Sequence, residues 1–196
     1  EILRREIPTG GWALTGGEPD ADVTAMALQA LAKYREDADV LAAVERGVTA
    51  LADLQEPNGA YTSWGEENSE SVSQVIVALT ELGISPDDER FVKNGQTLEQ
   101  VLLRFAQEDG SFRHIADGKS DEMATEQALY ALVQRLCGSF EKSEGSLICR
   151  ELLGLAKGED LAEPAVRTEE YYQSRPCVGA CRRAAELLEA YLTDGA

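Results

Sequence analysis

The sequence predicts an all-α fold built from helix pairs, and three observations support that prediction. Apolar residues recur at spacings of three and four in several stretches, which is the period of a helix with one buried face. A glycine followed by an aromatic residue and a polar loop returns three times along the chain. Hydrophobic residues make up 43% of the sequence, which is ordinary for a protein with a packed core.

The repeated segment spans about fifty residues, and three copies lie between residues 10 and 132. The copies begin at Gly10, Gly59 and Gly110, and an aromatic residue stands two positions after each of these glycines. Each polar loop then leads into an apolar stretch, at residues 24–31, 72–79 and 125–132. We therefore expect a helix after every loop.

Further helices are predicted in front of the second and third loops. Their apolar faces consist of Val40, Val44, Val48 and Leu51 in one case and of Leu98, Val101, Leu102 and Phe105 in the other. Thr97 and Gln100 have the spacing of a capping box, which favours a helix start at that point. Because a helix pair cannot bury its apolar face alone, neighbouring pairs are expected to stack.

A glutamine precedes the second and third loops, so that Gln55 and Gln107 each open a Gln-x-x-(x)-Gly-x-aromatic arrangement. This arrangement resembles the repeats of the α/α toroid superfamily, which includes squalene-hopene cyclases, protein prenyltransferase β subunits and many bacterial prenyltransferase-like proteins. The resemblance covers residues 8–136 and implies a partial barrel of helix pairs around a central cavity. It places the starts of the inner helices near Asp22, Glu70 and Met123.

The stretch from Pro19 to Met26 resembles the Asp-x-Asp-Asp-Thr-Ala signature of class II terpene cyclases. The resemblance implies that Asp22 is a catalytic proton donor and that Asp20 is the neighbouring acid. Val23 stands where the signature has a third aspartate, so the acid cluster has one carboxylate fewer to keep Asp22 protonated. The alternative is that Asp20 and Asp22 cap a helix, since acidic residues favour a helix N-terminus.

The positions in the repeat also predict a ligand-binding site at the inner helix N-termini. Its polar members are Glu70, Gln74, Glu126 and Gln127. Its aromatic members, in the loops above, are Trp12, Tyr61, Trp64 and Phe112. A polar floor under an aromatic rim is suited to a small hydrophobic ligand; in the alternative interpretation the aromatic residues are packing anchors between repeats. His114 is the single histidine, so a zinc site is not predicted and a surface loop is expected there.

The pattern changes after the repeats, which predicts a domain of toroid-like repeats at residues 1–136 and a helical, cysteine-containing segment at 137–196. The stretch 140–154 contains Gly-Ser-x-x-Cys-Arg-Glu-Leu-Leu-Gly, with Cys149, and Cys177 precedes a predicted final helix. These features resemble the end of a redox-active family named for its C_GCAxxG_C_C signature. Cys149 and Cys177 match its last two cysteines, whereas the first cysteine and the glycine-rich element have no counterpart. The stretch 157–173 is acidic, and it is predicted to be a connector.

Three interpretations of the cysteines remain open. Cys177 and Cys181 are four residues apart on an apolar helix face, which is typical of buried thiols that act as small hydrophobic side chains. A redox pair of Cys149 and Cys177 is the second, because a helix N-terminus with Arg175, Arg182 and Arg183 nearby favours a thiolate. The third is a metal site formed by all four cysteines, Cys137, Cys149, Cys177 and Cys181, although the Cys-x-x-Cys spacing of zinc sites is missing.

The charge excludes one class of function. With 18 basic and 36 acidic residues the formal net charge is −18, so a nucleic acid backbone would be repelled. The apolar runs are too short for a transmembrane segment, and the cofactor and the compartment are left open.

Three functions are therefore predicted in order of preference. The first is a non-catalytic module that binds a small hydrophobic ligand or a protein partner on a partial prenyltransferase- or terpene-cyclase-like toroid. The second is an isoprenoid cyclase or prenyltransferase-like enzyme that uses Asp20 and Asp22. The third is a thiol redox or metal-binding protein that uses Cys149 and Cys177.

Overall fold

A computed structural model describes residues 1–85, 87–155, 166, 168–173 and 175–194. The chain divides into two compact units, residues 1–135 and residues 136–196, which are described separately below. Most of the predicted connector at residues 157–173 lies outside the described residues. The fold is mostly helical, as expected from the apolar periodicity.

The helices of the first unit fall where the spacing of apolar residues predicts them. They are α1 (Ala21–Leu31), α2 (Ala38–Leu54), α3 (Ser69–Glu81), α4 (Leu98–Leu103) and the first part of α5 (Glu122–Glu144), with short 3-10 segments at Ile2–Arg5, Ala32–Tyr34 and Glu89–Phe91. The capping box predicted at the start of α4 is present, because Thr97 Oγ accepts from the Gln100 amide and Gln100 Oε1 accepts from the Thr97 amide. Helices α1, α3 and α5 each begin one residue before the predicted start.

Two small hairpins correct the expectation of an all-α fold. Strand β1 (Thr62–Ser63) pairs antiparallel with β2 (Glu66–Glu67), and β3 (Phe112–Arg113) pairs antiparallel with β4 (Ser120–Asp121). The first hairpin turns through Trp64 and Gly65, both with positive φ, at 53° and 91°. Two positive φ values in a two-residue loop are typical of a type I′ turn. Strands of two residues are too short to produce an alternating pattern, so the apolar periodicity does not reveal them.

The turns at Gly10, Gly59 and Gly110 share one hydrogen-bonding geometry. Each glycine has a positive φ, at 95°, 86° and 83°, and its amide donates to the carbonyl oxygen three residues earlier at 2.8, 2.8 and 3.0 Å. In the second turn a Cβ at Gly59 would lie 2.7 Å from Val101 Cγ2, so both the backbone angle and the space favour glycine there.

The core of the first unit lies where α1 packs against α2 and α3. Gly47 in α2 permits the close approach of α1, since a Cβ there would lie 2.9 Å from Leu28 Cδ2 and 2.8 Å from Trp12 Cζ3. A row of glutamines joins three helices: Gln29 Nε2 donates to Gln74 Oε1 at 2.9 Å, and Gln74 Nε2 donates to Gln127 Oε1 at 3.0 Å. The row brings α1, α3 and α5 together, yet the described residues give no evidence of a toroid.

The second unit contains the end of α5, followed by α6 (Cys149–Leu152), α7 (Glu169–Gln173) and α8 (Cys177–Asp194). Ser146 is buried just before α6, and the side chains described along α8 are exposed or half-buried. Within the described part of the chain, none of the helices has the length and apolar character needed to cross a membrane.

Candidate functional site

A cleft of about 310 Å³ opens at the N-terminal ends of α1, α3 and α5, beside the first hairpin. Its lining is formed by Asp22, Met26, Ser63, Trp64, Glu66, Asn68, Glu70, Gln74, His114, Met123 and Gln127. Five of the residues that the sequence predicts as site residues line this cleft: Asp22, Trp64, Glu70, Gln74 and Gln127. The volume is at the lower end of the range for small-molecule sites.

Asp20 serves the N-terminus of α1. Its Oδ1 accepts from the Val23 amide at 3.0 Å, and its Oδ2 accepts from Ser63 Oγ at 3.0 Å. The capping interpretation is therefore confirmed for Asp20. The second hydrogen bond also fixes the first hairpin against the start of α1, which positions the edge of the cleft.

Asp22 lies in the first turn of α1 and lines the cleft, and unlike Asp20 it does not cap the helix. Its Oδ1 is buried and has no hydrogen-bond partner. Burial raises the pKa of this carboxyl, and the charges of Asp20 and Glu70 add to the rise. The Ser71 and Ser63 hydroxyls act in the opposite direction, but each already donates elsewhere, to Asn68 Oδ1 and to Asp20 Oδ2. Oδ1 of Asp22 is therefore a buried acceptor without a partner, with no accessible surface in the cleft.

Glu70 and His114 form the second charged feature of the cleft. His114 Nδ1 lies 2.9 Å from both carboxylate oxygens of Glu70. Glu70 is largely buried, whereas about half of the imidazole is exposed. The sequence predicts Glu70 as a site residue and His114 as a surface residue, but it gives no signal for their pairing because 44 positions separate them.

The four aromatic residues predicted as a ligand-binding rim fall into two groups. Trp12, Tyr61 and Phe112 are buried in the core, with at most 4% of their surface exposed. Trp12 Nε1 donates to the Ile2 carbonyl at 3.0 Å, and Tyr61 Oη donates to the Leu51 carbonyl at 3.0 Å. These three residues thus occupy positions that fit the packing interpretation. Trp64 is 86% exposed at the tip of the hairpin.

Two threonines fix the turns to the helices that follow, a role that the sequence does not predict. The Trp12 amide donates to Thr24 Oγ1 at 2.9 Å, and the Phe112 amide donates to Thr125 Oγ1 at 2.9 Å. The equivalent position of the second copy is Val72, which has no hydroxyl. Glu126, which is predicted as a ligand-binding residue, is exposed and does not line the cleft.

The cysteines form a separate set of candidates in the second unit. All four are free thiols; Cys137 on α5 is half-buried, whereas Cys149, Cys177 and Cys181 are exposed. The interpretation of Cys177 and Cys181 as buried hydrophobic residues is therefore wrong, because the N-terminal part of α8 exposes this face. Among the described residues, no three His, Cys, Asp or Glu side chains come together as metal ligands.

Local hydrogen bonds explain why Cys149 stands at a helix start. Ser146 Oγ accepts from the Ile148 amide at 2.9 Å and donates to Glu151 Oε2 at 2.6 Å, which closes the first turn of α6. Gly154 ends this segment with a φ of 66°, in the left-handed conformation that favours glycine. The Gly-Ser-x-x-Cys-Arg-Glu-Leu-Leu-Gly motif is thus a compact helical turn, ended by Gly154, in which Cys149 is exposed.

Cys177 is the first residue of α8, a helix of 18 residues. Of the arginines expected near it, Arg175 lies over the ring of Tyr171 at 4.2 Å, and Arg183 pairs with Glu186 at 3.5 Å. Cys177 stands at the N-terminal end of a long helix, where the positive end of the helix dipole lies.

Comparison with known proteins gives one match. Residues 110–191 match the family model described as "Putative redox-active protein (C_GCAxxG_C_C)". The matched region covers less than half of the chain, but it contains all four cysteines. It extends further towards the N-terminus than the resemblance described above and includes the third predicted repeat. No curated protein and no solved structure matches the chain, and nothing in these comparisons supports a toroid.

Proposed function

We propose that the cysteine-containing unit performs thiol–disulfide exchange through Cys149 and Cys177. The observation that best supports this proposal is the match of residues 110–191 to a redox-active family, in a region where both cysteines are free and exposed. Cys177 at the start of a long helix is the better candidate for the attacking thiolate. Cys149, the first residue of the short helix α6, is the candidate for the resolving thiol.

The proposed exchange balances as a two-electron transfer. The Cys177 thiolate attacks a disulfide of a partner molecule and releases one partner thiol, which leaves a mixed disulfide on Cys177. The Cys149 thiolate then attacks Cys177 Sγ and releases the second partner thiol. The protein is oxidised from two thiols to one Cys149–Cys177 disulfide, and the partner disulfide is reduced to two thiols.

A single-turnover experiment with an aromatic disulfide reagent tests this proposal. The reduced protein is expected to release both reagent thiols and to keep no reagent at Cys177. Cys149→Ser should stop at a stable mixed disulfide on Cys177, and Cys177→Ser should lose the fast phase of the reaction. Cys137→Ser is the matched control, since this half-buried residue lies outside the two signature positions.

Cys181→Ser shows whether the pairing is right. If Cys181→Ser rather than Cys149→Ser stops at the mixed disulfide, the resolving residue is Cys181 and the proposed pair is wrong. If all single variants release the same amount of reagent thiol as the parent, the exposed thiols react independently, and the exchange proposal fails.

A second candidate function is the one that the sequence favours, a non-catalytic ligand-binding module in the first unit. The observation that favours it is the cleft at the N-termini of α1, α3 and α5, lined by Asp22, Glu70 and Trp64. The toroid-type arrangement of the helices stays a prediction within this proposal. Native mass spectrometry against a lipid and small-molecule panel should reveal a retained ligand, and Trp64→Ala should weaken its retention; a complete failure to retain any compound would count against it.

An isoprenoid cyclase that uses Asp20 and Asp22 has weaker support at the same cleft. Both carboxylate oxygens of Asp20 already accept hydrogen bonds, so this residue is occupied as a helix cap. Asp22 has the raised pKa that a proton donor needs. Incubation with squalene and with isoprenoid diphosphates tests the enzyme directly: a cyclised or transferred product that disappears in Asp22→Asn is required.

A further inference from the structure

We infer that α8 joins two copies of this chain as an antiparallel helix pair. The surface concerned, called the α8 stripe below, consists of Val178, Cys181, Ala185 and Leu188. The inference concerns an assembly of the protein, and it does not depend on the thiol exchange proposed above.

The residues of the α8 stripe have the spacing of a coiled-coil seam. They alternate at three and four residues, as positions a and d of a heptad do, and the sequence continues this spacing at Leu192. Because α8 has 18 residues, it offers roughly 27 Å of helix for pairing. A contact of this length is limited in area, so we expect a dimer of moderate affinity.

The α8 stripe is exposed, although its residues are apolar. Val178 and Leu188 are 60% and 44% exposed, and the two smaller side chains between them are exposed as well. The half-buried residues of α8 lie on the opposite side of the helix and are Ala180, Arg183 and Leu187. A continuous apolar seam that faces away from the covered side of a helix is typical of an interaction surface.

The charges beside the α8 stripe identify a second copy as the partner. Position e of the heptads holds Arg182 and then Glu189, whereas position g holds Ala184 and Tyr191. In an antiparallel pair e faces e of the other helix, so that Arg182 of each copy meets Glu189 of the other. In a parallel pair e faces g, where this helix carries no charge. The surface is therefore self-complementary in the antiparallel orientation but not in the parallel one.

The formal net charge of −18 does not prevent this pairing. Repulsion between distant carboxylates of the two copies is screened over about 8 Å at physiological ionic strength. Arg182 and Glu189 would be in direct contact across the pair, and they contribute two pairs of opposite charge to each dimer. A uniformly acidic or uniformly basic partner would match only one of the two residues, which favours a second copy.

Sedimentation velocity of the full chain, from micromolar to near-millimolar concentration and with a reductant present, tests the inference. We expect a monomer–dimer equilibrium that does not depend on intermolecular disulfides. Leu188→Glu should weaken dimerisation by about tenfold or more, because it places a charge in the seam. Ala190→Glu adds the same charge at an exposed position on the far side of α8 and should dimerise like the parent. Far-UV circular dichroism verifies that both variants fold.

A charge exchange between two variants tests the orientation. Arg182→Glu alone and Glu189→Arg alone each place like charges at both e positions, so each should weaken self-association by about tenfold. When the two variants are mixed, opposite charges face each other again at both contacts. Native mass spectrometry should therefore show the mixed dimer in excess over either dimer of one variant.

Three results would overturn the inference. A chain that stays monomeric at every concentration would show that no second copy covers the α8 stripe. A dimer that Leu188→Glu leaves unchanged would place the interface elsewhere. Equal amounts of mixed and unmixed dimers in the charge-exchange experiment, after correction for random pairing, would rule out the antiparallel contact.

Discussion

At the scale of single residues, Gln55 explains the glutamine that precedes a repeated turn. Its buried Nε2 donates to the Gly59 carbonyl at 2.9 Å and to the Phe91 carbonyl at 3.0 Å. One amide thus holds the turn closed and fastens it to a distant segment. Gln107, at the equivalent position of the next turn, is half-buried, and its Nε2 donates to Ser111 Oγ at 3.0 Å.

The two glutamines predict different losses of stability when each is replaced by alanine. Gln55→Ala should reduce the free energy of unfolding by about 2 to 3 kcal/mol, because it leaves two buried carbonyl groups without donors. Gln107→Ala should cost about 1 kcal/mol or less, since Ser111 can be reached by water. Urea unfolding measures both values. Equal midpoints for the two variants would contradict the role assigned to Gln55.

Asp22 makes the free energy of unfolding depend on pH. Its pKa is raised in the folded protein above the ordinary value of 3.8, so the folded state binds this proton more tightly than the unfolded state. The ionised carboxylate therefore opposes folding increasingly as pH rises through the raised pKa, and the effect vanishes below the unfolded value.

Asp22→Asn is accordingly expected to gain stability relative to the parent as the pH rises from acid to neutral. Urea midpoints measured for parent and variant across that range test the sign. Asp53→Asn, which removes a carboxylate at an exposed site, is the control and should show a smaller difference from the parent. A variant that loses stability relative to the parent towards neutral pH would show that Asp22 is stabilised as an anion.

At the scale of elements, Tyr61 connects a loop to a helix. Its side chain is fully buried, burial raises the pKa of its phenol, and Oη donates to the Leu51 carbonyl near the C-terminal end of α2. The last carbonyl groups of a helix have no partner within the helix. Tyr61 therefore satisfies α2 and also fixes the segment that leads into the first hairpin.

Tyr61→Phe should reduce the free energy of unfolding by about 1 to 2 kcal/mol, since it keeps the ring but leaves the Leu51 carbonyl without this donor. Tyr34→Phe is the control, because that tyrosine is 64% exposed and the change should be close to neutral. Thermal or urea unfolding provides the measurement. A Tyr61→Phe protein as stable as the control would mean that water or a backbone shift replaces the hydroxyl.

At the scale of the whole molecule, local signals predict the helices well and tertiary contacts poorly. The apolar spacing places α2 and α4. Helices α1 and α3 begin one residue before the expected starts, directly after the caps Asp20 and Asn68. Hairpins of two-residue strands have too few positions for a pattern, although Gly65 after Trp64 is typical of a tight turn.

The candidate sites depend on contacts between residues that are far apart in the sequence, and local sequence patterns do not predict such contacts. Asp22, Glu70 and Gln74, which the sequence predicts as site residues, line one cleft near the N-terminal ends of α1 and α3. Trp12 and Phe112 lie in the core instead, because Thr24 and Thr125 bind their amides and fold each loop back onto its helix. The pairing of Glu70 with His114 arises only when the third loop reaches α3.

In the cysteine-containing unit the sequence reveals the functional motif, but it does not predict that the cysteines are exposed. The match over residues 110–191 supports the redox interpretation for this part of the chain. Exposure of Cys149, Cys177 and Cys181 is a structural result that the apolar spacing of α8 does not predict. The central claim is therefore that two of these thiols act as a pair.

The most direct test is peptide mapping of the full chain after equilibration in glutathione buffers of increasing oxidising strength. If Cys149 and Cys177 act as a pair, we expect a cooperative conversion to one internal disulfide between them, which dithiothreitol reverses, while Cys137 stays a thiol. Independent mixed disulfides between glutathione and Cys149, Cys177 and Cys181, with no internal bond, would contradict it.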